Sequence, residues 1–272
     1  AGMDDLPITM NEKDLKVLRW ATQHLEHPSL AMRLSSVIGT PIEIGIQLLP
    51  RTVYKKANSL AHTAITKALK TAVSTLRHDV RPNPHNLFYR TLAAGTGAAG
   101  GLFGIYGLPL ELGVSTTVML RSIAEIARSQ GEHIHEPETQ MACLEVFALG
   151  GETESDDAAD TGYYGIRLAL AWPVTHAAHY VARHGLAAEG GPVLTTLISA
   201  ISARFGVAVS QKMVAMAIPL VGAAGAATIN LLFMLHFQEM ARGHFVVRRL
   251  ERKYGKELVQ ATYEQICGKR RG

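Results

Sequence analysis

Two stretches decide how this chain is read: LAAGTGAAGGLFGIYGLPLELG, Leu92 to Gly113, and MVAMAIPLVGAAGAATINLLFML, Met213 to Leu235. Both are nearly free of charge, and each is long enough to cross a hydrocarbon layer, which takes ~20 residues of helix. Glycine and alanine stand in them where Leu and Ile would fill a typical spanning helix. Gly97, Gly100, Gly104 and Gly107 alternate spacings of three and four. That pattern lays a flat stripe along one helix face for a second backbone to approach. Pro109 in the first stretch, and Pro219 with Gly222 in the second, interrupt the helix, because an interior proline costs ~3 kcal/mol. The expectation is a set of Gly/Ala-rich helical hairpins packed at the centre of the fold.

The charges around these stretches bear on topology. Arg77, Arg81 and Arg90 precede the first and Arg121 and Arg128 follow it, so a hairpin would return to its starting, cytoplasmic side. The second runs into a basic stretch from Arg242 to Lys256, and the chain ends in Lys269, Arg270 and Arg271. Anionic lipids attract such juxtamembrane cations. The high Gly and Ala content makes insertion only weakly favourable, so the reading is peripheral or monotopic attachment rather than true spanning. The basic stretch has little aromatic interleaving and no recognition motif, which argues against nucleic acid.

The 272 residues are 47% hydrophobic but only 6% aromatic, with a formal net charge of +4. An aliphatic, alanine-rich interior suits close helix packing better than sheets. Cys143 and Cys267 are the only cysteines, which excludes a disulfide framework and a cysteine-based zinc site and fits a reducing compartment. The polar, acidic start lacks the order of a secretory signal, so the chain is read as retained in the cytosol. The organisation expected is a disordered or tag-proximal start over 1–14, one helical domain over 15–266, and a basic tail over 267–272.

Helical periodicity runs throughout, and no stretch alternates as a strand would. Helices are expected over about 15–25, 30–38, from Pro41, 53–76, 113–129, 137–149, from an N-cap at Ser155 to about 184, 192–205, 207–225 and 226–254. The fold class is therefore all-α, a single multi-helix domain.

Several constellations are candidates for chemistry. Gly39-Thr40-Pro41-Ile42-Glu43-Ile44-Gly45 and Gly107-Leu108-Pro109-Leu110-Glu111-Leu112-Gly113 share the pattern G-x-P-aliphatic-E-aliphatic-G. Pro at the first helical position and an acid in the first turn are helix-start signals. The sharper reading is that Glu43 and Glu111 face each other in an apolar cavity. Glu145 and Asp160 flank a glycine turn with Tyr163, Tyr164 and Arg167 just after it, a candidate carboxylate cluster. Asp160 and Arg167 lie two turns apart on nearly one face, so Arg167 is free to meet an acid on another helix. His176, His179 and His184 repeat the spacing of His236, Glu239 and His244. The latter three are metal-ligand candidates only if a second helix contributes, since one straight helix cannot converge them on one ion. Gly95-x-Gly97-x-x-Gly100 lacks the strand and acidic residue of a dinucleotide site. No P-loop or nucleophile elbow is present; the sequence offers no cofactor-binding residues and leaves the cofactor unknown.

RSIAEIA (Arg121–Ala127), CLEVFALGG (Cys143–Gly151), GYYGIR (Gly162–Arg167), QKMVAMAIPLVGAAGAATIN (Gln211–Asn230) and HFQEMARGHFVVRRLERKYG (His236–Gly255) together resemble the EcsC family. The resemblance spans roughly Leu15 to Glu264. It implies an all-helical, membrane-associated protein linked to an ABC-type exporter, and brings no catalytic residue set. The function expected is a cytoplasmic-side accessory protein that assists transport or binds lipid or a hydrophobic partner. The alternative is a helical hydrolase using carboxylates or a metal.

Overall fold

The computed structural model describes residues 10–26, 30–39, 50–76, 91, 95, 107–151, 162–185, 191–217 and 223–268. Among these the chain is all-α: α1 (Glu12–Glu26), α2 (Leu30–Ile38), α3 (Arg51–Leu76), α4 (Leu108–Ser129), α5 (Pro137–Leu149), α6 (Tyr163–His184), α7 (Pro192–Ala217), α8 (Ala223–Tyr254) and α9 (Lys256–Gly268). Most of the first glycine-rich stretch (92–94 and 96–106, with Gly97, Gly100 and Gly104), the helix expected from Pro41, Ser155, and the candidates Glu43 and Asp160 lie outside the described residues.

Two long helices organise the single domain. α8 touches α1, α2, α4, α5, α7 and α9, while α7 touches α2, α3, α5, α6 and α8. Their meeting point is aromatic despite the sparse aromatic content. Phe147 of α5, Phe205 of α7 and Phe237 of α8 form a mutual cluster with ring centroids 5.0 to 5.4 Å apart, and Phe233 joins it. Such tilted and edge-on contacts add to the burial each ring already contributes.

α7 is, among the described residues, the one helix long and apolar enough to cross a membrane, with mean hydropathy 1.6. Leu197, Ile201, Phe205, Ala208 and Val209 along it are buried within the protein. Its apolar character thus matches a central core position as well as a membrane one. The break expected near Gly206 is absent, and α7 runs straight through. A Cβ at Gly206 would come 3.1 Å from the Asn58 Cα, so this glycine serves the approach of α3 rather than a helix end. The second break, around Pro219, falls in 218–222, outside the described residues, with α7 and α8 on either side.

Helix starts follow local rules with tertiary help. α4 carries Pro109 in its first turn together with Glu111, as the repeated pattern anticipates. α6 starts at Tyr163 with Gly162 as N-cap, seven residues nearer the C-terminus than an N-cap at Ser155 implies. Gly162 offers no side chain to cap it, and Glu26 of α1 does so instead, accepting the Tyr163 N–H at 3.0 Å. A carboxylate there also favours the positive end of the helix. The chain turns at Gly255, φ +87°, a left-handed conformation that suits glycine. It then forms α9, a helix the periodicity did not single out within the helical domain expected over 15–266.

Among the described glycines, the one in the turn after α5 makes the tightest approach. A Cβ at Gly151 would lie 2.1 Å from the Arg204 carbonyl oxygen, a backbone atom that cannot swing aside. Gly151→Ala is therefore expected to destabilise the domain by about 1–3 kcal/mol through overpacking. Gly268→Ala, with nothing within 4 Å, should stay within about 0.5 kcal/mol of wild type. Urea unfolding of the two variants measures the difference.

Candidate functional site

The residues that carry chemistry gather where α5, α6 and α8 meet. Glu145 projects from α5 and is 5% exposed. His244, fully buried on α8, presents its Nε2 3.8 Å from the Glu145 Oε2, and that nitrogen has no hydrogen-bond partner. Its Nδ1 shares a 3.0 Å hydrogen bond with the Tyr163 hydroxyl at the start of α6. Burial pushes the Glu145 carboxyl up to about 7 against the pull of Arg167 and Arg248. Burial, reinforced by the same two arginines, holds His244 well below the usual imidazole value. A neutral imidazole thus faces a carboxyl that exchanges its proton near neutrality.

Around this pair the charges are arranged in closed forks. Arg167 donates to both oxygens of Glu251 at 2.7 and 3.1 Å, and the Tyr164 hydroxyl adds a third bond to Glu251 at 3.0 Å. Arg167 also lies over the Tyr163 and Tyr164 rings at 5.3 and 5.5 Å. Arg248 grips Glu132 through Nε and one Nη at 2.9 and 3.2 Å, and Arg252 joins the same carboxylate. Burial alone would raise Glu132, but Arg248 and Arg252 outweigh it and hold the carboxyl below its usual value. Bidentate pairs of this kind fix guanidinium orientation as well as charge.

These groups floor and wall an open cleft of about 560 Å³ between α6 and α9, with Glu145, Arg167, Leu168, Arg248, Lys256 and Glu264 on its lining. Leu168 and Trp172, one turn apart on α6, are 79% and 59% exposed. The Tyr263 hydroxyl of α9 donates to Glu26 at 2.8 Å, so the carboxylate that caps α6 also holds α9 in place.

Of the sequence candidates, Glu145, Arg167 and His244 come together here. Arg167 meets an acid on another helix, Glu251. Glu111 lies in a separate buried cluster: Lys212, 1% exposed, donates to the Glu111 Oε2 at 2.7 Å and to the Asn230 Oδ1. The three metal-ligand candidates part company. His236 bonds the Gly150 carbonyl at 2.9 Å, Glu239 pairs with Arg33 at 2.7 Å, and His244 faces Tyr163 and Glu145. Among the described residues no three His, Cys, Asp or Glu side chains gather at one point. His176 and His184 stack on Trp172 and Tyr180 one turn earlier. Cys143 is buried, and burial pushes its thiol up to about 12, far from a nucleophile's range. Glu26, Glu132, Lys212, Arg248 and Glu251 were missed as site residues. The HFQEMARGHFVVRRLERKYG block already held two of them at helical spacing from His244.

An all-helical domain with a cation-lined cleft and a buried carboxyl–imidazole pair is the class that fold and site define. The model of the EcsC protein family matches residues 12–250, and the chain belongs to that family. Searches of the curated proteins and of the solved structures gave no match.

The three shifted groups set a pH profile. Burial lowers His236 to about 4 and holds His244 well below the usual imidazole value, so both favour the folded state above about 6.5 and withdraw that support as pH falls. Glu145 is raised, so its contribution is present below about 4.5 and is lost as pH rises through about 7. Two histidines outweigh one carboxyl between pH 4.5 and 6.5. Thermal stability should therefore rise from pH 5 to about 6.5 and decline slightly by pH 8. Glu145→Gln should remove that decline, leaving the variant about 1–3 kcal/mol more stable than wild type at pH 8. Thermal melts across pH 5–8 read both effects.

Removing one member of a buried fork strands the other. Glu251→Ala should cost about 3 kcal/mol, with the double change Arg167→Met/Glu251→Leu recovering most of it. Chemical denaturation of the single and double variants checks this.

Proposed function

We propose that the protein is a membrane-associated accessory protein of the cytoplasmic face that docks on anionic lipid through the α6–α9 cleft and its rim. The observation that carries this reading is the pairing of exposed Leu168 and Trp172 on one edge of α6 with Arg167, Arg248 and Lys256 in the adjoining cleft. Large apolar side chains standing out from a soluble surface beside cations match the two layers of a membrane interface. Tryptophan belongs at headgroup depth, and an exposed cation such as Lys256 adds about 1 kcal/mol on an anionic leaflet. The apolar length of α7 is a weaker support, because more than half of its most apolar window, 56%, is buried in protein. Membership of the EcsC family supports an accessory role beside an exporter, in keeping with the resemblance.

Co-sedimentation with vesicles of phosphatidylcholine and phosphatidylglycerol tests the docking. Wild-type protein should pellet with anionic vesicles and be released by high salt or carbonate, since salt screens such contacts. Leu168→Ser/Trp172→Ser should abolish pelleting while leaving the fold intact. Retention until detergent is added would replace peripheral docking with inserted hairpins. A protein that ignores anionic vesicles would sink the proposal.

A further inference from the structure

The cleft holds more polar capacity than its own residues use. A guanidinium carries five N–H donors. Arg248 commits Nε and one Nη to Glu132, and Arg167 commits one bond from each Nη to Glu251. Each therefore keeps N–H donors while its orientation is fixed by the carboxylate behind it. Lys256 stands exposed on α9, also on the cleft lining. Against these cations sits one awkward group. The Glu145 carboxyl lines the cleft, is 5% exposed, and meets the unpartnered His244 Nε2 at 3.8 Å, with Arg167, Arg248 and Glu251 near enough to act on its charge. A buried donor or acceptor left without a partner costs about 1–3 kcal/mol; the His244 Nε2 is such an atom, and it stands beside a carboxyl that opens on the cleft, where a ligand or a proton would complete the pair.

We propose that this cleft binds a phosphodiester oxyanion on Arg167, Arg248 and Lys256 and takes up a proton at the Glu145–His244 pair as it does so. The inference deepens the membrane reading, on which the lipid source of the phosphodiester rests, by naming the headgroup chemistry. Charge exclusion couples the two events. An ionised Glu145 would repel an incoming oxyanion at close range, whereas a neutral carboxyl donates a hydrogen bond to it. The Glu145 carboxyl, raised by burial to about 7, is poised to make that exchange at physiological pH.

The groups facing it come from several helices. α6 supplies Arg167 and Tyr163. α8 supplies His244, Arg248 and Glu251. α9 brings Lys256 and Glu264 to the same cleft. Arg204 of α7 donates to the carbonyls of Ala148 and Gly151 at the far end of α5. Glu132, in the turn between α4 and α5, is closed by Arg248 and Arg252.

The probe is glycerophosphoglycerol, a soluble phosphodiester that does not itself titrate between pH 6 and 8. Isothermal titration calorimetry at pH 6, 7 and 8, in buffers of different ionisation enthalpy, reads affinity and proton uptake together. Binding that requires the protonated carboxyl should be about tenfold tighter at pH 6 than at pH 8, with buffer-dependent heat signalling proton uptake at pH 8. Lys256→Gln, a change at an exposed position, should weaken binding severalfold at every pH. Glu145→Gln should bind at pH 8 as wild type does at pH 6 and show no proton uptake.

Trp172→Ser, a change at an exposed position outside the cleft lining, should bind the soluble probe normally while weakening vesicle binding, which separates failure of the oxyanion site from failure of membrane docking. Absence of binding at pH 6 with millimolar probe, indifference to Lys256→Gln, or wild-type buffer heats that show no proton uptake would overturn the proposal. The last of these needs no variant, so a Glu145→Gln protein that failed to fold would leave the test standing.

Discussion

A single ammonium in the interior constrains the way three helices come together. Lys212 near the end of α7 is buried beside the Phe233 ring, 4.9 Å from its centroid. A charge so placed is tolerable only with partners of good geometry, because its desolvation costs several kcal/mol. Glu111 from the first turn of α4 and Asn230 from α8 provide them. The register of α4 against α7 and of α7 against α8 is thereby fixed at one point, and the phenylalanine cluster fills the space further along the same helices. Because α8 also carries His244, Arg248 and Glu251, the placement of the cleft is tied to that register.

Much of this architecture is legible in the residues. The aliphatic spacing along 53–76, the Pro–Glu start at Pro109 and Glu111, and Pro137 ahead of α5 mark helices that form where expected. The misreadings share a cause. Gly206 looks like a break from local propensity, yet it admits the α3 backbone; Ser155 looks like a cap, yet a carboxylate from a helix far away in sequence caps α6. Tertiary partners overrule local signals at both places.

The site was half visible for a similar reason. Glu145 and Arg167 stood out because charges beside a glycine turn are conspicuous, and His244 because histidines at helical spacing invite a metal reading. That reading fails to describe His236 and Glu239, which answer to a carbonyl and an arginine in different directions. Glu132 and Glu251, which hold the cleft's guanidiniums, are ordinary surface-type residues until the fold brings Arg248 and Arg167 against them. A separation of 84 residues between Arg167 and Glu251, or 116 between Arg248 and Glu132, leaves no periodic trace.

The two thiols differ in a way that makes the cleft observable. Cys143 is buried with its thiol held in the neutral form, while Cys267 is half-buried on α9, the helix that forms one wall of the cleft, and neither is in a disulfide. Alkylating reagents act on the thiolate and need access, so the sequence carries one addressable sulfur, on the helix whose Lys256, Gln260 and Glu264 line the cleft. A fluorophore or spin label attached there would follow α9 against the rest of the domain with no engineered cysteine, turning the opening of the cleft into a spectroscopic signal.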